Sequence, residues 1–301
     1  MFKLFSLNPE RLKLKTVDNK TPLDIAAEFG HINIVKNYLD NTINQGSVRS
    51  LIDAAASYRG YRVLSYLLPD TNKDLYAHVL HLACRQAHGH ELMTDKNIFS
   101  YLDTKGAMSG HKSRDGFTPL MVAVKYKRVK CVEELIKSRH CNEELFRACS
   151  HDFERTVLHI CAEIKNKKIT DILLNKAMTF HLDLTPVDVM GNTPLHICSQ
   201  VNNIYMAQKL LDLQAKHRIN LWDSQPDSRS RKNNSSGILT MLTIKNNNGL
   251  TAFHDAAENG HDDIILLMIS SVLNPEELMK QCDDQLRTNL HVVALKGELV
   301  V

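Results

Sequence analysis

No C-x-x-C pair occurs anywhere in the chain, and its cysteines are odd in number at seven. A disulfide framework is thereby excluded as the organising principle. The usage points to a reduced, cytoplasmic setting in which most thiols act as small apolar fillers. Charge of one sign is also missing. The 37 Lys and Arg against 34 Asp and Glu leave +3 over 301 residues, so no global footprint for nucleic acid exists. Long apolar runs are absent too. The most apolar, "IILLMISSVL" at 264–273, is half of what a bilayer requires. The opening "MFKLFSLNPERLKLK" is too short and too interrupted for a signal peptide. The sequence therefore predicts no membrane span of its own.

The signatures of common chemistry are lacking as well. There is no G-x-S-x-G, no phosphate-binding glycine loop and no dinucleotide fingerprint, so the usual nucleophile and nucleotide sites are excluded. "HGHEL" at 88–92 does not place two His one helical turn apart around a Glu, as a zinc protease requires. Cys141 and Cys149 are spaced too widely on a probable helix to converge on a metal. Asp262 and Asp263 open a helix, where they complement its dipole. The expectation is no enzyme, no catalytic residue, no metal ligand and no cofactor.

What is present is a repeat. At 43% apolar and 24% charged residues the composition is that of an ordinary globular protein. Within it, "TPLDIAAEFGHINIVKNYL" from Thr21 returns as "TPLMVAVKYKRVKCVEELI" from Thr118, "TVLHICAEIKNKKITDILL" from Thr156, "TPLHICSQVNNIYMAQKLL" from Thr193 and "TAFHDAAENGHDDIILLMI" from Thr251. Weaker copies start at Ser50, His78 and Thr288. Five positions after each start stands a small or compact residue: Ala26, Ala55, Ala83, Ala123, Cys161, Cys198, Ala256 and Val293. Eighteen positions after it stands a branched aliphatic in six copies, while the His78 copy needs a few inserted residues.

Physical chemistry explains the string. Thr at the start suits an N-cap and Pro suits the first helical position, where a missing N–H costs nothing. Thr21-Pro22-Leu23, Thr118-Pro119-Leu120 and Thr193-Pro194-Leu195 are then helix starts with the Leu facing the core. The His column (His81, His159, His196, His254, His291) is expected to be structural, holding hydrogen bonds. Gly30 and Gly260 suit the left-handed residue that ends a first helix. A single helix pair cannot bury both faces, so neighbours must stack.

A period in the thirties with T-P-L-H-x-A resembles the ankyrin-repeat family. The resemblance implies an all-α solenoid of about seven to eight stacked helix–turn–helix repeats, the last incomplete. The predicted organisation is an N-terminal segment over 1–17, repeats over 18–221, a disordered insertion over 222–248, and further repeats over 249–301. "RSRK" at 229–232 belongs to that insertion and reads as solvated loop rather than an import or kinase-recognition patch. "GELVV" is unlike a polar capping repeat and is expected to lead into more chain.

By the same resemblance, the partner groove runs along the positions one before each start and seven and eight after it. These give Phe29, Tyr58, Arg85, Phe117, Lys125, Tyr126 and Arg155 as candidate partner-binding residues. Aromatic and Arg side chains supply most hot-spot energy, so an acidic or aromatic segment of another protein is the expected partner. "ILTMLTIKNNNGLTAFHDAAENGHDDIILLMI" and the irregular spacing also resemble the ankyrin region of transient receptor potential A-type cation channels. That resemblance implies a location on the cytoplasmic face of a membrane, with a neighbouring channel subunit or domain as partner. A soluble scaffold and the targeting module of a larger enzyme are the alternatives.

Overall fold

The computed structural model describes residues 14–41, 48–57, 61–68, 73–86, 102–103, 111–222, 236–272, 275–288, 291–292 and 294. The chain divides into two compact units, 1–145 and 146–301. Among the described residues all extended regular structure is helical, with isolated bridges only at Lys245–Thr251 and Cys282–Thr288. The fold is an all-α arrangement of stacked helix pairs, as the repeat predicts.

The first helix of each well-formed repeat starts as the chemistry requires. Thr21, Thr118, Thr156, Thr193 and Thr251 all have extended backbone and precede helices Pro22–Glu28, Pro119–Lys125, Val157–Ile164, Pro194–Val201 and Ala252–Glu258. The residue three later closes the cap. Thr193 N–H and hydroxyl both donate to His196 Nδ1, at 3.1 and 2.8 Å. His159 and His254 repeat this on Thr156 and Thr251, while Asp24 does so with a carboxylate on Thr21. The other ring nitrogen reaches the next repeat. His159 Nε2 meets the Asn192 carbonyl at 2.9 Å, and His196 Nε2 the Leu250 carbonyl at 3.1 Å. Each such His therefore locks its own helix start to the residue before the following one. Burial explains why these rings stay neutral: it lowers His159 and His254, and brings His196 down to about 4.

Two left-handed columns frame each pair. Gly30, Lys127, Lys165, Asn202 and Gly260 have φ between 53° and 74° and end the first helices. The turn N–H that follows bonds back into the helix, as His31 to Ala26 and Asn203 to Cys198. The second column lies two residues before each start: Asn19, Gly116, Glu154, Gly191, Gly249 and Leu286, φ 53° to 76°. It forms the apex of a hairpin tip. The tip closes between a turn opener and the residue before the start, as Ser113 N–H to Phe117 carbonyl at 2.8 Å and Asp188 to Asn192 at 2.9 Å.

The compact column is buried as expected, with Ala55, Ala123, Cys161, Cys198 and Ala256 at 0% exposure. In the N-terminal unit the helices Pro22–Glu28, Val48–Ser57, Lys73–Gln86 and Pro119–Lys125 pack in that order. In the C-terminal unit Val157–Ile164, Pro194–Val201 and Ala252–Glu258 do the same. Leu23, Leu120 and Leu195 are all buried. Burial also pushes the Cys161 thiol up to about 12 and Cys84 well up, which fits thiols serving as filler.

Three expectations change. Ser50 and His78 are not helix starts: both lie inside longer helices, Val48–Ser57 and Lys73–Gln86. Neither has the Thr-Pro pair that would fix a start. The reading of 222–248 as disordered does not hold at residue 222 or over 236–248. Helix Ile204–Trp222 reaches its first residue, and Ser236–Thr243 is helical with Met241 and Leu242 buried. That helix packs on the helices Ile204–Trp222, Ala252–Glu258 and Pro275–Met279. Residues 223–235, including "RSRK", lie outside the described residues, as do 1–13 and the final five. His291 differs from its column in being exposed, yet Thr288 N–H still donates to its Nδ1 at 3.2 Å.

Candidate functional site

The N-terminal unit contains a cleft of about 760 Å³. One wall is a face of helix Lys73–Gln86, where His78, His81 and Arg85 are spaced by three and four residues and so project together. The opposite wall is the hairpin tip His111–Phe117 with the end of helix Pro119–Lys125. Arg49 joins from helix Val48–Ser57.

Local structure sets each side chain. Phe117 follows the tip apex Gly116, whose φ is 76°, and its N–H donates to Ser113 Oγ at 3.2 Å. Lys125 ends its helix and Tyr126 caps it, with Tyr126 N–H bonded to the Val122 carbonyl. The two cations then ride on the aromatic faces. Lys125 Nζ lies 4.6 Å from the Phe117 centroid and the Arg85 guanidinium 5.8 Å from that of Tyr126. Such contacts orient a cation without cancelling its charge. Arg128 Nη2 further donates to the Arg85 carbonyl at 3.1 Å.

The lining is strongly positive. Arg49, Arg85, Lys112, Arg114 and Lys125 stand around one lining carboxylate, Asp115. His78 pairs with Asp53 at 2.9 Å. His81 donates from Nε2 to the His111 carbonyl at 3.0 Å, while its Nδ1 has no hydrogen-bond partner among the described residues. The cause is the repeat's broken start: His78 stands where Thr would serve that nitrogen. Burial lowers the pKa of His81. A cleft of this size suits a ligand segment, and its charge suits an anionic one.

Four expected groove residues, Arg85, Phe117, Lys125 and Tyr126, meet in this cleft. Phe29 is exposed and stacks near His31, with centroids 6.5 Å apart, and does not line it. Tyr58 lies outside the described residues. Arg155 belongs to the C-terminal unit, where it pairs with Glu163 at 3.3 Å and Asp188 at 3.4 Å. Sequence reasoning missed Arg49, Lys112, Arg114, His78 and His111 as lining groups, and it read His81 only as structural. The helical spacing of 78, 81 and 85 was the available signal. Among the described residues no three His, Cys, Asp or Glu side chains form a metal-holding group, and no helix is long and apolar enough to cross a membrane.

Capped helix pairs, hairpin tips and a compact inner column define a class of protein built by stacking helical repeats. A family model described as ankyrin repeats (3 copies) matches residues 51–145 and 139–221, and the chain belongs to the ankyrin-repeat family. No curated protein matches it. Beyond the matched span, the repeats at Thr21 and Thr251 carry the same capped starts. Ankyrin repeats are in general non-catalytic modules that bind other proteins, and this chain carries such an interaction region.

Proposed function

We propose that the cleft between helix Lys73–Gln86 and the 111–126 segment receives an acidic segment of another protein, and that the chain acts as a docking region on the cytoplasmic side. The observation that carries this reading is the lining: five cationic side chains, two steadied on Phe117 and Tyr126, against one carboxylate. Aromatic faces and Arg are the groups that dominate binding energy at interfaces. The positive field also speeds encounter with an anionic segment.

The test is fluorescence anisotropy with a short labelled peptide rich in Glu and carrying one aromatic residue, beside a control with Gln for Glu. The Glu peptide binds, and added salt weakens it because exposed charges are screened. Phe117→Ala with Tyr126→Ala lowers its affinity by about tenfold or more, while circular dichroism stays unchanged. Equal binding of both peptides, or undiminished binding by the variant, removes these residues from the site.

The channel reading rests on the irregular repeat spacing and the 238–269 stretch. It makes a neighbouring channel subunit or domain the source of the acidic segment. Sequencing the transcript beyond Val301 decides it: further apolar stretches of about 20 residues support a pore, whereas a stop after one polar repeat leaves a scaffold and a kinase motif makes the chain a targeting module.

A further inference from the structure

Two adjacent hairpin tips in the C-terminal unit expose apolar side chains. Phe153 on one tip, and Val187, Val189 and Met190 at the next, are each between 45% and 55% exposed. Their backbones are fastened together. Val189 N–H donates to the Phe153 carbonyl at 2.9 Å, and Asn247 N–H to the Met190 carbonyl at 2.9 Å. The Asn247 side-chain amide donates to the Val189 carbonyl at 2.9 Å. Gly191 shows how close this packing is. Its φ is +74°, and a Cβ there would lie 2.6 Å from Asn247 Oδ1 and 2.9 Å from Asn247 N. The apolar groups therefore stand on a preorganised ledge, and a partner meets them with little ordering cost.

The charge of the ledge is negative. Asp152 and Glu154, both exposed, flank Phe153. Arg155 lies 5.2 Å from the Phe153 ring centroid, but Glu163 and Asp188 already pair with it. The exposed Asp152 and Glu154 beside Phe153 thus stand next to a guanidinium that two other carboxylates already pair. Single exposed apolar residues need no explanation, whereas a cluster rimmed by charge marks an interaction surface.

We propose that this ledge docks a basic segment of a partner protein, with one apolar anchor side chain seated on Phe153 and Met190 and with Lys or Arg on either side meeting Asp152 and Glu154. The cationic cleft of the N-terminal unit takes the opposite charge, so the two readings stand or fall separately.

The experiment is selection of displayed random peptides on the full chain, counter-selected on the Phe153→Ser, Met190→Ser variant. Both side chains are exposed, so the variant keeps its melting temperature. The selected peptides carry an apolar residue between Lys or Arg. Their synthetic versions lose about tenfold or more in affinity on the variant, and again on Asp152→Lys with Glu154→Lys. An acidic or uncharged consensus, undiminished binding, or no enrichment overturns the proposal. So does a dimer in ultracentrifugation that Phe153→Ser, Met190→Ser dissolves, because a second copy of the chain would then be the occupant.

Discussion

The two units place residues at the same repeat positions and surround them differently. In the N-terminal unit the position before the start and the position seven after it hold Phe117 and Lys125, a contact that leaves the ammonium positive. In the C-terminal unit the same positions hold Arg155 and Glu163, which neutralise each other with help from Asp188. Arg287 likewise meets Asp283 at 2.7 Å and Glu258 at 3.9 Å. The first repeat shows that position alone does not decide the outcome, because Lys20 and Glu28 pair at 2.7 Å within the N-terminal unit. One scaffold column can thus offer charge to a partner or close it internally, depending on a single aromatic-for-ionic exchange.

The largest effect should fall where the units agree. Leu120 and Leu195 are 0% and 1% exposed at matching positions, so either one changed to Ala costs about 2–5 kcal/mol in urea unfolding. A loss below about 1 kcal/mol for one of them would break the equivalence of the units.

Next comes the electrostatic contrast. Arg85→Glu with Lys125→Glu reduces binding of the Glu-rich peptide by about a hundredfold, near 2.7 kcal/mol. Arg155→Glu leaves it within about twofold, since that guanidinium is already paired. Comparable losses from the two variants would remove the distinction.

The last contrast is one of pH, and it belongs to the C-terminal unit. His159, His196 and His254 bind protons less readily folded than unfolded, so their neutral contribution is complete above 6.5 and is lost as pH falls. For His196, which sits at about 4, the window runs from 6.5 down to 4 and the full loss is about 3 kcal/mol. Asp255 works against this. Burial raises it to about 7, and the Gln200 amide bond at 2.9 Å only partly offsets that. Its favourable contribution is present below its unfolded value near 3.8 and disappears as pH rises through about 7. Asp255→Asn should therefore raise stability at pH 8 and steepen the acid-side decline between pH 6.5 and 4. Thermal melts across that range measure both, and a flat profile for the variant would contradict the neutral-imidazole arrangement.

The sequence made the capped repeats legible because their chemistry is local. Thr followed by Pro, then a compact residue five positions on, is enough at 21, 118 and 193. At Ser50 and His78 the register survives in buried Ala55 and Ala83, but helix length is set by residues upstream that carry no cap signal. The tips were missed for a different reason. Thr16, Ser113, Asp188, Asn246 and Asp283 all accept the N–H of the residue just before the start. Four residue types share that role, so no single letter recurs. Within the cleft, Arg85, Phe117, Lys125 and Tyr126 lie on expected columns. Arg49, one before Ser50, shares a column but was not among the candidates read there, while Lys112 and Arg114 come from outside the columns and only the fold brings them in. Phe29 and Arg155 occupy equivalent columns, yet their own neighbours decide their fate.

The tip ladder of the C-terminal unit also governs how this chain can grow. Thr193 and Thr251 are 58 residues apart, against 37 between Thr156 and Thr193. The extra length enters between the second helix and the next turn, while Asn247 still meets Met190 at 2.9 Å. Added sequence on that flank changes the cargo hung from the stack without changing its stride. The opposite flank, where a Cβ on Gly191 would lie 2.6 Å from Asn247 Oδ1, has no room for added side chains.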